Sequence, residues 1–152
     1  MDNSLIDGVI ITKLKAITDT RGAVLHFIRS DSPGFDVFGE SYFSEINPGA
    51  VKAWKKHLKQ IQNISVPMGV IQLALYDDRE NSATFGKLEI HEIGRPNSYV
   101  RITIPINIWH GFKCVSNAPA LLVNCANIKH EFSESIVLPH NDTTIPFNWD
   151  TI

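Results

Sequence analysis

Lys52-Ala53-Trp54-Lys55-Lys56-His57-Leu58-Lys59 holds four lysines and a histidine in eight residues, in a chain with nine lysines in all. On a regular strand alternate residues share a face, so Ala53, Lys55, His57 and Lys59 would stand together. Ammonium groups beside an imidazole suit a phosphate-bearing ligand next to a titratable base. They also suit a solvated edge strand, where lysine discourages aggregation. Spacing alone does not separate the two. A second run, Ile104-Pro105-Ile106-Asn107-Ile108-Trp109-His110-Gly111-Phe112, sets a histidine before a glycine and among aromatics. It reads as a tight backbone corner with the imidazole aimed at a partner, or as a hydrogen-bonded core histidine. A third run, Asp77-Asp78-Arg79-Glu80-Asn81-Ser82-Ala83-Thr84-Phe85-Gly86, reads as a hairpin loop whose Asp and Ser side chains satisfy backbone amides.

Other chemistries have little support. His57, His91, His110, His130 and His140 would have to converge from distant positions to hold a metal, and no His-x-His or Cys-x-x-Cys pair occurs. Cys114 and Cys125 form neither a zinc spacing nor a redox pair. No Gly-x-Gly-x-x-Gly, P-loop or Gly-x-Ser-x-Gly is present, so a hydrolase triad has no basis and no cofactor is expected.

The elements that must position these residues are short strands. The chain has 152 residues, which predicts a single domain over 1–152. Hydrophobic residues are 43% and charged residues 20%, a globular balance that excludes collagen-like, coiled-coil and wholly disordered chains. Fourteen Lys and Arg against 16 Asp and Glu give a net charge of −2, which argues against nucleic-acid binding through bulk charge. No apolar run reaches about 18 residues, so no membrane span is predicted. Met1-Asp2-Asn3-Ser4 is not basic and no signal-type apolar region follows it, so a cytoplasmic protein with reduced thiols is expected. Val9–Ile17, Ala23–Arg29, Phe38–Ile46, Val70–Asp77, Phe85–Ile93 and Tyr99–Ile104 read as strands, and Val51–Val66 as two. Val100, Ile102 and Ile104 alternate with Tyr99, Arg101 and Thr103. Asp19-Thr20-Arg21-Gly22, Asp31-Ser32-Pro33-Gly34 and Asn47-Pro48-Gly49 are turns. About ten strands at this spacing predict an all-β sandwich or barrel. A helix over Ser44–Gln62, with Trp54, Leu58 and Ile61 on one side, is the competing reading.

Taken together, these runs resemble the dTDP-4-dehydrorhamnose 3,5-epimerase family. Asp19-Thr20-Arg21-Gly22 is similar to its Asp-x-Arg-Gly, and Trp54-Lys55-Lys56-His57 sits where it has Arg-Gly-Leu-His. Asp77-Asp78-Arg79 with Ser82, Thr84, Phe85 and Gly86 resembles its Asp-x-Arg-x-x-Ser-x-Thr-Phe-Gly. Ile104-Pro105 through His110-Gly111-Phe112 resembles its Ile-Pro…His-Gly-Phe. Asn141-Asp142, Ile145 and Trp149 resemble its closing Asn-Asp…Ile-x-Trp. The resemblance covers Asp19 to Trp149, and is closer still to a subgroup of short members with Trp-x-x-His.

The resemblance implies a cupin-type jelly roll and a homodimer that exchanges N-terminal strands. It implies a metal-free site and a substrate with a 4-keto sugar on a nucleoside diphosphate. His57 would be the general base and His110 a polar partner to the sugar. Arg21 would come from the first turn. Trp54 replaces the family's phosphate-binding Arg, so Lys52, Lys55 or Lys59 would take that work, with Trp54 filling the core. Gln62 stands at the place of a substrate-side Lys, and Asp77 counts among the substrate-binding residues. The acid-face Tyr of the family, in Tyr-x-Cys, falls at Val123. Tyr42, Tyr99 and Cys125 remain as replacements by elimination. The Asp that orients the family's base follows the Asn-Asp…Trp element, and the present sequence ends at Ile152. Three functions stay open: a nucleotide-sugar epimerase or ketoisomerase, a non-catalytic nucleotide-sugar binding protein, and a metal-dependent cupin.

Overall fold

A computed structural model describes residues 4–152; Met1–Asn3, part of the N-terminal reading above, lie outside the described residues. The strands are β1 (Ile10–Lys13), β2 (Ala16–Asp19), β3 (Gly22–Leu25), β4 (Glu40–Ile46), β5 (Val51–His57), β6 (Gln62–Met68), β7 (Val70–Tyr76), β8 (Leu88–Gly94), β9 (Val100–Ile104), β10 (Trp109–Cys114), β11 (Ala120–Ala126) and β12 (Ser135–Val137). One sheet runs β1-β9-β6-β11-β4, the other β12-β5-β10-β7-β8, and β2-β3 form a separate hairpin. Every pairing is antiparallel. The all-β expectation holds, and Ser44–Gln62 contains no helix. The expected Val9–Ile17 strand is two strands: β1 joins β9, while β2 turns away into its hairpin.

The two sheets face each other over Ile46, Ile64, Val66, Ile71, Leu73, Leu75, Ile93, Ile102 and Ile104, all buried. This is the inward half of each alternating pattern, and its burial is the main drive to fold. The outward half is not all solvated. Arg101 is 1% exposed because residues 27–33 lie over it; its guanidinium donates to the carbonyls of Phe27 (2.8 Å) and Pro33 (2.7 Å).

The second sheet carries its own outer core. Trp54, Trp109, Ile145 and Trp149 cluster there, with Phe147 edge-on to Trp149 at 4.8 Å. The segment after Pro139 is therefore a strap that seals the back of β5 and β10. Gly111 is required beneath it, since an added Cβ would collide with Ala53 and sit 2.8 Å from the Trp149 ring. The expected corner at His110-Gly111 is instead mid-strand, with a register shift on the β5 side between His110 and Phe112. Among the described residues no helix is long and apolar enough to cross a membrane.

Candidate active site

β5 sends residues of both parities to the site. Trp54 goes to the strap, as expected, and its indole N–H donates to the His140 carbonyl at 3.2 Å. Lys56 goes the same way, 3.0 Å from the Asp78 carboxylate and 4.7 Å above the Trp109 ring. Ala53, Lys55 and His57 line a cavity of about 270 Å³ between the sheets, Ala53 also packing against the strap cluster. Lys52, Trp54, Tyr42, Ser44, Gln62, Ile64, His110, Phe112, Leu122 and Val137 complete its wall. The volume equals roughly nine waters at ~30 Å³ each, which one hexose ring fills.

His57 lies at the floor, 5% exposed, and its two nitrogens have opposite partners. Nδ1 bonds the Glu134 carboxylate. Nε2 meets the Gln62 side-chain amide at 2.6 Å. The tautomer follows from a chain of fixed roles. The Ile128 carbonyl can only accept, so Gln60 presents its N–H there (3.0 Å) and its oxygen to Gln62. Gln62 must then donate to His57 Nε2, which leaves the imidazole proton on Nδ1, facing Glu134. Glu134 is 1% exposed. It is delivered by β12, whose first residue Ser135 pairs with His57, and its second oxygen accepts from the amides of Lys59 (3.3 Å) and Gln60 (3.2 Å).

The electrostatics agree with that tautomer. Burial pushes the His57 pKa down, the Glu134 hydrogen bond and charge oppose it, Lys55 and His130 add to the fall, and the net direction is down. Burial works to raise the Glu134 pKa, but His57 and the two amides outweigh it, so the carboxylate is held below its usual range. The resting pair is a neutral imidazole against an ionised carboxylate. His110 stacks on His57 with ring centroids 5.6 Å apart and a 12° interplanar angle. Burial, then His57 and Lys55, push it down to about 3. It is a neutral ring stacked on His57. A neutral imidazole with a buried carboxylate behind Nδ1 and an unprotonated Nε2 has the protonation state that proton abstraction requires, with the Gln62 N–H as the group a substrate must displace from Nε2.

The predicted site residues divide. His57, His110, Lys52, Lys55 and Gln62 meet at the cavity. Lys59 does not: β5 ends at His57, the chain turns, and the exposed Lys59 ammonium lies 4.0 Å from Glu131. Asp77 does not: it is fully buried and holds the following loop, accepting from Arg79 Nε (2.8 Å), Ser82 Oγ (2.7 Å) and Thr84 Oγ1 (2.6 Å). Burial works to raise its pKa, but these donors hold it well below the carboxylate range. Asp77→Ala should therefore cost about 3 kcal/mol, because it leaves Arg79 unpaired. Calorimetry should read this as a fall of about 8 °C in Tm, with nucleotide affinity unchanged. Lost affinity at an unchanged Tm would return Asp77 to the site. Arg21 sits at the tip of the β2-β3 hairpin, bonded to Asp19 at 2.6 Å and exposed, away from this chain's own cavity. Val123 shares the strand face of Phe43 and Ser65 and is not part of the cavity wall. Glu134 was legible in no motif: it lies 77 residues from His57, in a polar stretch. Among the described residues no three His, Cys, Asp or Glu side chains gather as a metal site.

The model of the family described as dTDP-4-dehydrorhamnose 3,5-epimerase matches residues 3–152, and the chain belongs to that family. A dTDP sugar isomerase from Desulfovibrio desulfuricans is 43% identical, with a TM-score of 0.94 over 97% of this chain and 94% of that one. The probable low-salt glycan biosynthesis epimerase Agl13 of Haloferax volcanii is 38% identical over 85% of this chain and 83% of its own. The spore coat polysaccharide biosynthesis protein SpsL of Bacillus subtilis is 32% identical over 97% and 98%. The dTDP-4-dehydrorhamnose 3,5-epimerase of Bacillus anthracis, at 15% identity and a TM-score of 0.84 over 97% and 88%, shares the fold.

Proposed function

We propose that the protein is an epimerase of a nucleotide-linked 4-keto sugar, acting at C3, C5 or both, with His57 as its general base. The observation that carries this reading is the His57–Glu134 pair, with Nε2 unprotonated at the cavity floor. A C4 ketone acidifies the adjacent C–H bonds. His57 takes one proton and the electron pair moves into the carbonyl, giving an enolate. Lys55 is the cavity donor available to the enolate oxygen, since both Gln62 N–H groups are already engaged, by His57 Nε2 and Gln60 Oε1. Return of a proton to the opposite ring face inverts the centre.

The diphosphate lies at the rim, on Lys52 and Lys55. Lys52 already donates to Ser44 Oγ (2.9 Å) and the Glu45 carbonyl (2.8 Å), which leaves one N–H for a phosphate oxygen. Lys52→Ala with Lys55→Ala should weaken thymidine diphosphate binding roughly tenfold and flatten its salt dependence. Unchanged titration calorimetry would remove this rim. Arg21 reaches a cavity only across a homodimer. The β2-β3 arm exposes Ile17 (48%) and Val24 (60%), apolar surface that a second copy would cover. Sedimentation as a monomer would take Arg21 out of the site. The two buried free thiols, Cys114 and Cys125, suit a cytoplasmic protein.

The test is incubation with thymidine and uridine diphospho-4-keto-6-deoxyglucose in D2O. Deuterium at one or two ring carbons, read by mass spectrometry, supports the epimerase. Binding with no uptake turns the protein into a nucleotide-sugar binding module.

A further inference from the structure

An epimerase needs a proton donor on the face opposite its base, and the position where the resemblance sets that donor is Val123, which neither carries a proton nor lines the cavity. We propose that Tyr42 is the general acid; this rests on the epimerase reading above. Three observations lead to it.

The first is placement. His57 enters the cavity from β5, in one sheet, and Tyr42 enters from β4, in the other. Among the described residues Tyr42 is the only tyrosine on the cavity wall; Tyr99 is buried and donates to the His26 carbonyl at 3.0 Å, and Cys125 lies on the outer face with Val123. β11 separates β4 from β6, and Tyr42 lies two residues along β4 from Glu40, which is in register with Gln62 through Ala126, so Tyr42 and Gln62 stand on the order of 12 Å apart at Cα across the wall.

The second is the direction of its hydrogen bond. Tyr42 Oη accepts from the Asn124 amide at 3.1 Å. That amide cannot be reversed, because its oxygen accepts the backbone N–H of Asn63 at 3.1 Å. The phenolic oxygen is therefore filled as an acceptor, and among the described residues its own O–H goes to no protein acceptor. A tyrosine held this way has its proton to give, and Asn124 offsets the charge left on oxygen.

The third is the competition. Lys55 and His110 come from the base's own sheet. Ser44 accepts from Lys52, and both sit at the rim. Tyr42 is 42% exposed, so water can reload it. The step balances without a redox partner. His57 Nε2 holds the proton removed from carbon. The enolate collapses to the ketone as a new C–H bond forms on the opposite face and the Tyr42 O–H bond breaks. The phenolate then takes a proton from solvent while the imidazolium loses one.

The experiment is Tyr42→Phe in D2O with the same two 4-keto sugar nucleotides, following deuterium uptake and inversion separately. Uptake within about threefold of the parent protein, with inversion down at least 100-fold, is expected: His57 still removes a proton and returns deuterium to the face it came from. Inversion at the parent rate overturns Tyr42 as the acid. Loss of uptake and inversion together, in a variant that keeps its Tm and its thymidine diphosphate affinity, also overturns it, because the ring would then serve enolisation. If the parent protein takes up no deuterium while binding the nucleotide, the epimerase reading fails first and Tyr42 falls with it. Tyr42→His supplies a second donor on the same strand, and partial recovery of inversion there over Tyr42→Phe is expected.

Discussion

His57→Asn is expected to lower deuterium uptake from 4-keto sugar nucleotides by about 10³-fold or more, because it removes the group that takes the proton. Asparagine is the informative choice. Glu134 is buried and anchored by the Lys59 and Gln60 amides, so an alanine at 57 would leave a carboxylate oxygen unpaired, at about 1–3 kcal/mol. The asparagine amide can still donate toward it. Thymidine diphosphate affinity should stay within about threefold, since the rim lysines are untouched. The parent profile carries its own sign. The His57 pKa is below the ordinary imidazole value, so the base stays neutral as pH falls through 6.5, and uptake should decline only at more acid pH. Uptake that persists in His57→Asn would mean another base; a parent profile that falls already above pH 6.5 would mean a raised imidazole and a different environment from the one described.

What was legible in the sequence was what strand parity and turn residues encode locally. Val100, Ile102 and Ile104 face the core as their alternation requires; Lys55 and His57 both line the cavity as expected, although Lys52 and Trp54 of the other parity line it as well. Parity fails where a strand ends without punctuation. Leu58-Lys59 contains no Gly or Pro, yet β5 stops at His57 because its partner strands do, and Lys59 turns out to solvent. Val123 shows the same limit. Lining up Tyr-x-Cys by residue fixed its position but not its face, and β11 carries a register shift between Leu121 and Val123. Asp77 was read as a ligand contact because a buried carboxylate and a loop staple share one motif. Arg101 and Thr103 alternate as a solvated face would, and only the segment laid over them makes them interior. Glu134 and Tyr42 had no local signature at all. Each matters through a side chain brought near by strand pairing: β12 on β5, and β4 on β11.

Glu134→Gln should separate orientation from mere packing. Glutamine matches the shape and can still accept the Lys59 and Gln60 amides, so the fold should hold. Its amide, though, can present N–H to His57 Nδ1, which would drive the imidazole proton to Nε2, the nitrogen that must be empty. A wrong tautomer of this kind removes roughly 10²–10⁴ of rate in histidine–carboxylate systems. The pH signature has a definite sign. Glu134 contributes to His57 in the raising direction, through its hydrogen bond and its charge, while burial and Lys55 lower it. Without the carboxylate the imidazole pKa falls further, so the acid limb of deuterium uptake should move to lower pH while the plateau drops. A protein that was merely loosened would lose amplitude and keep the limb, or move it up toward the solvent value as water entered. Glu134→Asp keeps the charge one methylene short of Nδ1 and should lie between the two. Glu134→Gln at the parent plateau and the parent limb would reduce Glu134 to a fastener of β12 against β5, and the tautomer would then be held from the Ile128–Gln60–Gln62 side alone.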